Sequence, residues 1–193
     1  MRYRSDQGFK LSSVLIIVII NVAVFILFMI NSNLVVNLFG LQRASLLHQP
    51  WTIITNMFVH GGFSHIIFNM LTMYWFGTAL VNMVGNKNFL LVYFCGGLLG
   101  NILFLLLAPS YAIAIGASGA VYALGGALVV MRPKVKVFIF PIPIPIPLWV
   151  AVLIGFVLSF VPGTAWQAHL GGLIFGAGAG YVFRRQERRY IWR

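Results

Sequence analysis

Between Asp6 and Glu187 the chain contains no acidic residue. A soluble domain is roughly a quarter charged. Here 8% of the 193 residues are charged and 61% are hydrophobic. A water-facing surface cannot be assembled from such a sequence. Most side chains must face lipid or one another, and the chain reads as an all-α polytopic membrane protein.

The net charge of +11 does not point to nucleic acid. Basic clusters carry that meaning when they form one face of a soluble fold, whereas here they punctuate apolar runs. Arg2, Arg4 and Lys10 precede the first run. Lys87, then Arg132, Lys134 and Lys136, fall in later breaks, and Arg184, Arg185, Arg188, Arg189 and Arg193 close the chain. The single cysteine, Cys95, excludes an intrachain disulfide and reads as a small buried hydrophobe.

Six apolar segments emerge, and each is long or apolar enough to suggest a transmembrane helix. The first runs over about 11–30, full spanning length for a hydrocarbon core about 30 Å thick, with no Ala-x-Ala-like site after it, so a retained helix is expected rather than a signal peptide. The others lie at about 63–83, 89–108, 118–131, 148–161 and 166–183. The stretch 31–62 is too long for a turn and too apolar to be fully solvated. It predicts short amphipathic helices lying partly in the membrane. Gly85-Asn86-Lys87-Asn88 predicts a turn. Prolines at 141, 143, 145 and 147 forbid a helix and predict an extended interfacial link. With six spans, one side holds 12 of the 13 Lys and Arg and the other holds Arg43 alone. The positive-inside rule then puts both termini in the cytoplasm and Arg43 outside.

The fourth segment is short. From Ser118 to Arg132 is 14 residues, about 21 Å of helix, so Ser118 lies about 10 Å below the outer edge of the hydrocarbon core. His169 lies 15 residues before Arg184, about 22 Å from the cytoplasmic edge. The two are at matched depth. His169, Gly172, Gly176 and Gly180 share a face whose small residues permit close approach. Ser118, Tyr122, Gly125 and Gly126 share a face of the other helix. Packing these faces brings the His169 imidazole to the Ser118 hydroxyl, with Tyr122 one turn deeper. His65 and Asn69, four apart, share a face and suit stabilisation of an oxyanion, helped by the Ser118 N–H at a helix start.

The plainer readings stand beside these. A lone serine in a membrane helix packs, and a lone histidine bonds a carbonyl. Polar residues at membrane depth are costly and tend to mark function, and four converge here. Asn21, Asn56, Thr72, Asn101 and Ser159 show no such convergence and read as structural. His60 reads as a structural hydrogen-bonding residue and His48 as a solvated loop residue.

These residues resemble the rhomboid family of intramembrane serine proteases. The matching motifs are Pro50-Trp51 through His60-Gly-Gly-Phe-Ser-His65-Ile-Ile-Phe-Asn69, then Gly116-Ala-Ser118-Gly, then Ala168-His169-Leu-Gly-Gly172. The resemblance implies one rhomboid-like domain over 1–193, with short basic cytoplasmic tails at about 1–10 and 184–193. It implies six spans and a partly embedded first loop. It implies Ser118 as nucleophile and His169 as general base. His65, Asn69 and the Ser118 backbone would bind the oxyanion, and Gly116, Tyr122, Gly172 and His60 would support. Two departures touch structural support: Trp51 is followed by Thr52 where many relatives have Arg, and Phe76-Gly-Thr-Ala-Leu80 leads to Val81 and Asn82 where many have Glu.

The implied reaction is hydrolysis of a peptide bond in another protein's transmembrane segment near its outer end, through an acyl-enzyme. The expected setting is a bacterial inner membrane, with membrane-protein substrates and lipid as partners and without nucleic acid, metal or cofactor. The fifth segment, with Gly155 and few polar residues, is the expected lateral gate. A rival reading is a non-enzymatic scaffold or chaperone binding client helices in the same cavity. A transporter fits less well, since no acidic residue is available for ion coupling.

Overall fold

A computed structural model describes residues 12–138 and 144–191. The expectations for tail 1–10 and for the prolines at 141 and 143 lie outside the described residues. Among the described residues seven α-helices carry the fold: α1 (Ser13–Ile30), α2 (Ser32–Phe39), α3 (Thr52–Thr55), α4 (Phe63–Leu107), α5 (Ser118–Met131), α6 (Leu148–Leu158) and α7 (Trp166–Ile191). Four two-residue strands pair as two antiparallel ribbons, β1 (Leu41–Gln42) with β2 (Ile113–Ala114), and β3 (Lys136–Val137) with β4 (Ile146–Pro147).

The turn expected at 85–88 is a single break inside α4. Gly85 has φ +83°, ψ 166°, a left-handed φ that glycine adopts without a Cβ clash. Around it the chain doubles back. A Cβ on Gly77 would lie 2.9 Å from the Phe89 ring. The two limbs, 63–84 and 86–107, are therefore packed neighbours. Together with α1, α5, α6 and α7 they give six helical rods. Among the described residues, α1 and α4 are long and apolar enough to cross a membrane, and α5 and α6 are shorter apolar helices.

α7 is the centre of the bundle, and its glycines explain why. A Cβ on Gly176 or Gly172 would collide with the carbonyl oxygens of Ala123 and Gly119 on α5. One on Gly180 would meet Ala127 Cα at 2.8 Å, and one on Gly171 would meet Gly100 Cα of α4 at 2.7 Å. Backbones approach this closely only where side chains are absent, the small-residue packing that membrane helices use in place of hydrophobic collapse. The expected glycine face of α7 is the one in contact. The expected face of α5 holds in part: Ser118 and Tyr122 touch His169 and Gly126 meets Leu173 and Ala177, whereas Gly125 faces Phe76 and Val152 and the rest of the seam is made by Gly119, Ala123 and Ala127. A helix turns 100° per residue, so the residues adjacent to Ser118 and Tyr122 reach deeper into the seam than those in register with them.

The stretch 31–62 folds into short helices, as its composition predicts, and is pinned by side chains. Trp51 Nε1 donates to Leu38 O at 2.8 Å, and Thr55 Oγ1 to Phe39 O at 3.2 Å. Arg43 donates to Leu105 O and, at 3.0 Å, to Ala108 O. It thereby caps the carbonyls that α4 leaves unpaired at its C-terminus, where a cation also opposes the helix dipole. The β1–β2 pair ties this stretch to the loop before Ser118. One expectation needs correction. Cys95 is exposed, because it lies one position off the glycine face formed by Gly96 and Gly97, and it points outward. The basic segment from 184 continues α7 through Ile191, and Glu187 pairs with Arg132 through both guanidinium nitrogens at 2.7 and 2.5 Å. That hydrogen-bonded pair holds the Glu187 carboxyl below the usual carboxylate range.

Candidate active site

Ser118 is the first residue of α5, and its N-cap residue Ala117 offers no side chain to the helix start. The first N–H groups of a helix have no intrahelical acceptor, so the Ser118 N–H points free beside its own hydroxyl. His169 stands on α7 one turn before Gly172. The Gly172–Gly119 and Gly176–Ala123 contacts set the distance between the two helices. His169 Nε2 lies 2.7 Å from Ser118 Oγ. The Tyr122 ring lies against the imidazole, centroids 4.5 Å apart and tilted 31°. Both His169 and the histidine-rich wall opposite are largely shielded, with His169 8% exposed.

The loop before Ser118 is fixed from two directions. Gly116 N donates to Asn56 O at 2.9 Å, and Ala117 N donates to His60 Nε2 at 3.4 Å. Gly116 has φ +122°, and a Cβ there would stand 2.7 Å from His65 Nε2. Glycine is therefore required twice, for its backbone angle and for the approach of His65.

Tautomers follow from these bonds. Gly61 N donates to His65 Nδ1 at 3.3 Å. In a neutral imidazole one nitrogen accepts and the other carries the proton, so His65 presents Nε2–H toward Gly116, next to the Ser118 hydroxyl. His60 accepts at Nε2 and so carries its proton on Nδ1. Its ring lies 4.9 Å from that of His65, edge to face. Burial, and then the neighbouring His65, push the His60 imidazole down to about 3, keeping it neutral. The Asn69 amide donates to His65 O at 2.9 Å and retains a second N–H. Among the described residues it makes no hydrogen bond to Ser118 or His169. His169 Nδ1 is buried with no hydrogen-bond partner among the described residues, so no third group orients the ring from behind. The Tyr122 face does so from the side.

Asn56 and Asn101, read from the sequence as structural, form a bonded pair beside the site, and no sequence signal indicates that pairing. Both are buried and exchange reciprocal amide hydrogen bonds of 3.0 and 2.8 Å, and Asn101 also donates to Ile53 O at 2.7 Å. This pair locks the segment whose carbonyl holds Gly116. With Gly116, Ser118, Gly119 and Ala168 it lines a cavity of about 10 Å³, roughly the space for one water. The two asparagines are 45 residues apart, and nothing local in the sequence links them.

A rhomboid domain model matches residues 47–186, which contain every one of these side chains. The chain is 34% identical over 144 residues to the rhomboid-family protein YdcA of Bacillus subtilis, covering 72% of this chain and 71% of that one. It is 32% identical over 143 residues to the rhomboid protease GluP of the same organism, covering 72% of this chain and 27% of GluP. It is 32% identical over 168 residues to the mitochondrial Rhomboid protein 1 of Saccharomyces cerevisiae, covering 77% and 48%. The chain is an integral membrane protein and belongs to the rhomboid family. It spans most of YdcA but less than half of the other two.

Proposed function

We propose that this chain is an intramembrane serine endopeptidase in which Ser118 is the nucleophile and His169 its base. The observation that carries the reading is the 2.7 Å approach of His169 Nε2 to Ser118 Oγ beside an unpaired helix N-terminus. The names of the rhomboid protease relatives support proteolysis as the activity.

In this reading His169 Nε2 accepts the Ser118 hydroxyl proton as Oγ attacks the scissile carbonyl carbon. The carbonyl oxygen becomes an oxyanion and meets the Ser118 N–H, the His65 Nε2–H and the free N–H of Asn69, donors placed before the charge develops. His169 then delivers its proton to the leaving nitrogen, and the C–N bond breaks to leave an ester on Ser118. Water, deprotonated by His169, attacks that ester; the acyl C–Oγ bond breaks, the proton passes from His169 to Ser118 Oγ, and the second product leaves as a carboxylic acid. The substrate is a membrane-protein segment unwound near its outer end, since an intact helix keeps its carbonyls in intrahelical bonds. The chain crosses the membrane six times with both termini on the basic, cytoplasmic side of a bacterial inner membrane.

Incubation with a panel of single-span membrane proteins tests this. Wild type cleaves at least one of them, while Ser118→Ala and His169→Ala each abolish cleavage and leave the thermal unfolding midpoint in place. Cleavage by Ser118→Ala near the wild-type rate overturns the mechanism. The base must be neutral, and a free imidazole titrates near about 6.5, so turnover falls as acid protonates His169. Activity persists in EDTA; loss restored by added zinc points instead to a metalloprotease.

A further inference from the structure

An apolar groove of about 310 Å³ opens between α5, α6 and α7, bordered by Gly126, Val130, Trp149, Val152, Leu173 and Ala177. It shares no lining residue with the cavity beside Ser118. Its walls offer no polar side chain other than the Trp149 indole.

The end of the groove toward the basic side is built differently. Val130 lines the groove, and its carbonyl accepts from Arg184 Nη1 at 3.1 Å. The β3–β4 ribbon sets Lys136 opposite Pro147, and Leu148 N donates to Val135 O at 2.9 Å. The ribbon thereby holds Lys136 beside the start of α6, where Trp149 is the second residue, and Lys134 stands two residues earlier in the same connection. Both lysines are exposed. Arg132, at the end of α5, is committed to Glu187. Among the described residues no carboxylate pairs with Lys134, Lys136 or Arg184. At this end Arg184 is bonded to the carbonyl of a lining residue and two lysines stand on the adjoining ribbon, with Trp149 at a boundary of the kind where membrane proteins concentrate tryptophan.

The geometry points to a binding site for one anionic phospholipid of the leaflet on the basic side. Its acyl chain would lie in the α5–α6–α7 groove and its phosphate among Lys134, Lys136 and Arg184. An acyl chain matches the apolar walls of the groove, and a phosphate matches the cations at its end. Charge selects the headgroup: basic pockets between membrane helices on the cytoplasmic side hold anionic lipids. The bound chain would fill space between α6 and its neighbours that protein atoms leave open.

A benzophenone amino acid at Leu153, which lines the groove, tests this in proteoliposomes of equimolar phosphatidylglycerol and phosphatidylcholine. A second probe at exposed Ile154, outside the groove, reports the bulk lipid. After illumination, mass spectrometry reads the adducts. The expected result is phosphatidylglycerol favoured about tenfold or more at Leu153 and nearly equal adducts at Ile154, since each basic residue near a headgroup contributes roughly fivefold. Lys134→Gln with Lys136→Gln should bring the Leu153 ratio toward that of Ile154. Val152→Trp, which fills the groove, should reduce both lipid adducts at Leu153. Equal lipid adducts at Leu153, the same preference at both positions, or an adduct to a second copy or another protein helix overturns the proposal. Peptidase activity is not the readout, so failure here leaves the serine mechanism standing, and failure of that mechanism leaves this site standing.

Discussion

The two faces of α5 pack in opposite ways. Toward α7 it meets Gly172, Gly176 and Gly180 backbone to backbone. Toward α6 it leaves an open groove of about 310 Å³. α5 buries ten of its fourteen residues, whereas α6 buries Leu148 alone of its eleven. The tight seam holds the Ser118–His169 pair at hydrogen-bond distance, a geometry that tolerates little displacement if it is to do chemistry. The loose seam holds no polar pair. What it touches near the site is the back of Tyr122, through Gly155 and Phe156. A membrane bundle gains little from hydrophobic collapse because lipid is as apolar as its side chains. Rigidity must then come from shape, and this chain spends its glycines where rigidity matters.

Substitutions separate the two seams. Gly176→Leu should have the largest effect: the new side chain overlaps the Ala123 backbone, which no rotamer can relieve. The cost exceeds the about 1–3 kcal/mol typical of overpacking, read as loss of folded protein in detergent. A variant that folds and unfolds like wild type would break the account of the seam. Next, His65→Ala should lower kcat about 10²–10³-fold, the usual loss for one oxyanion donor, with little change in KM; Asn69→Ala should lose less, because part of its amide is already bonded to His65 O. Unchanged kcat in both and in the double variant removes them from the site.

Asn56→Ala or Asn101→Ala strands a buried amide and should destabilise by about 1–3 kcal/mol. A double-mutant cycle on denaturant midpoints should show strong coupling, and additive losses would deny the pair. On the loose side, Gly155→Ala meets only the Tyr122 hydroxyl, at 3.1 Å, and should change stability by less than about 1 kcal/mol. A large loss there would erase the contrast. Smallest of all is Glu187→Gln. The pair with Arg132 is about 40% exposed, so its loss costs under about 1 kcal/mol. Because hydrogen bonding to Arg132 depresses the Glu187 carboxyl, its contribution is present above the unfolded carboxylate value and disappears as pH falls through the folded one. Wild type and variant should differ slightly at neutral pH and converge in acid.

Much of this arrangement is legible in the sequence, for reasons that differ by element. The spacing of apolar runs exposes the rods, because a bilayer demands a minimum length of each. Counting residues from the basic edge puts Ser118 and His169 at one depth, since helical rise is constant. Glycine spacing on α7 gives its contact face. The matching face of α5 is readable only in part, because small residues at 119, 120, 123, 125, 126 and 127 surround the helix and composition cannot choose among them. Cys95 misleads for a related reason: in lipid, an apolar residue next to two glycines is free to face outward. The Asn56–Asn101 pair and the Arg43 cap depend on contacts between residues 45 or more apart, which no local pattern encodes. The break at Gly85 is visible as a turn, but its continuity with both helices is not.

Reaction with a fluorophosphonate probe tests the central claim most directly. A serine is modified by such a reagent when a base activates it and donors stabilise the resulting charge. Peptide mass spectrometry should find the probe on Ser118 alone, with labelling abolished by His169→Ala, slowed by His65→Ala and left intact in Gly155→Ala. Absence of label on Ser118, under conditions that label a known serine hydrolase in the same membranes, would contradict the account.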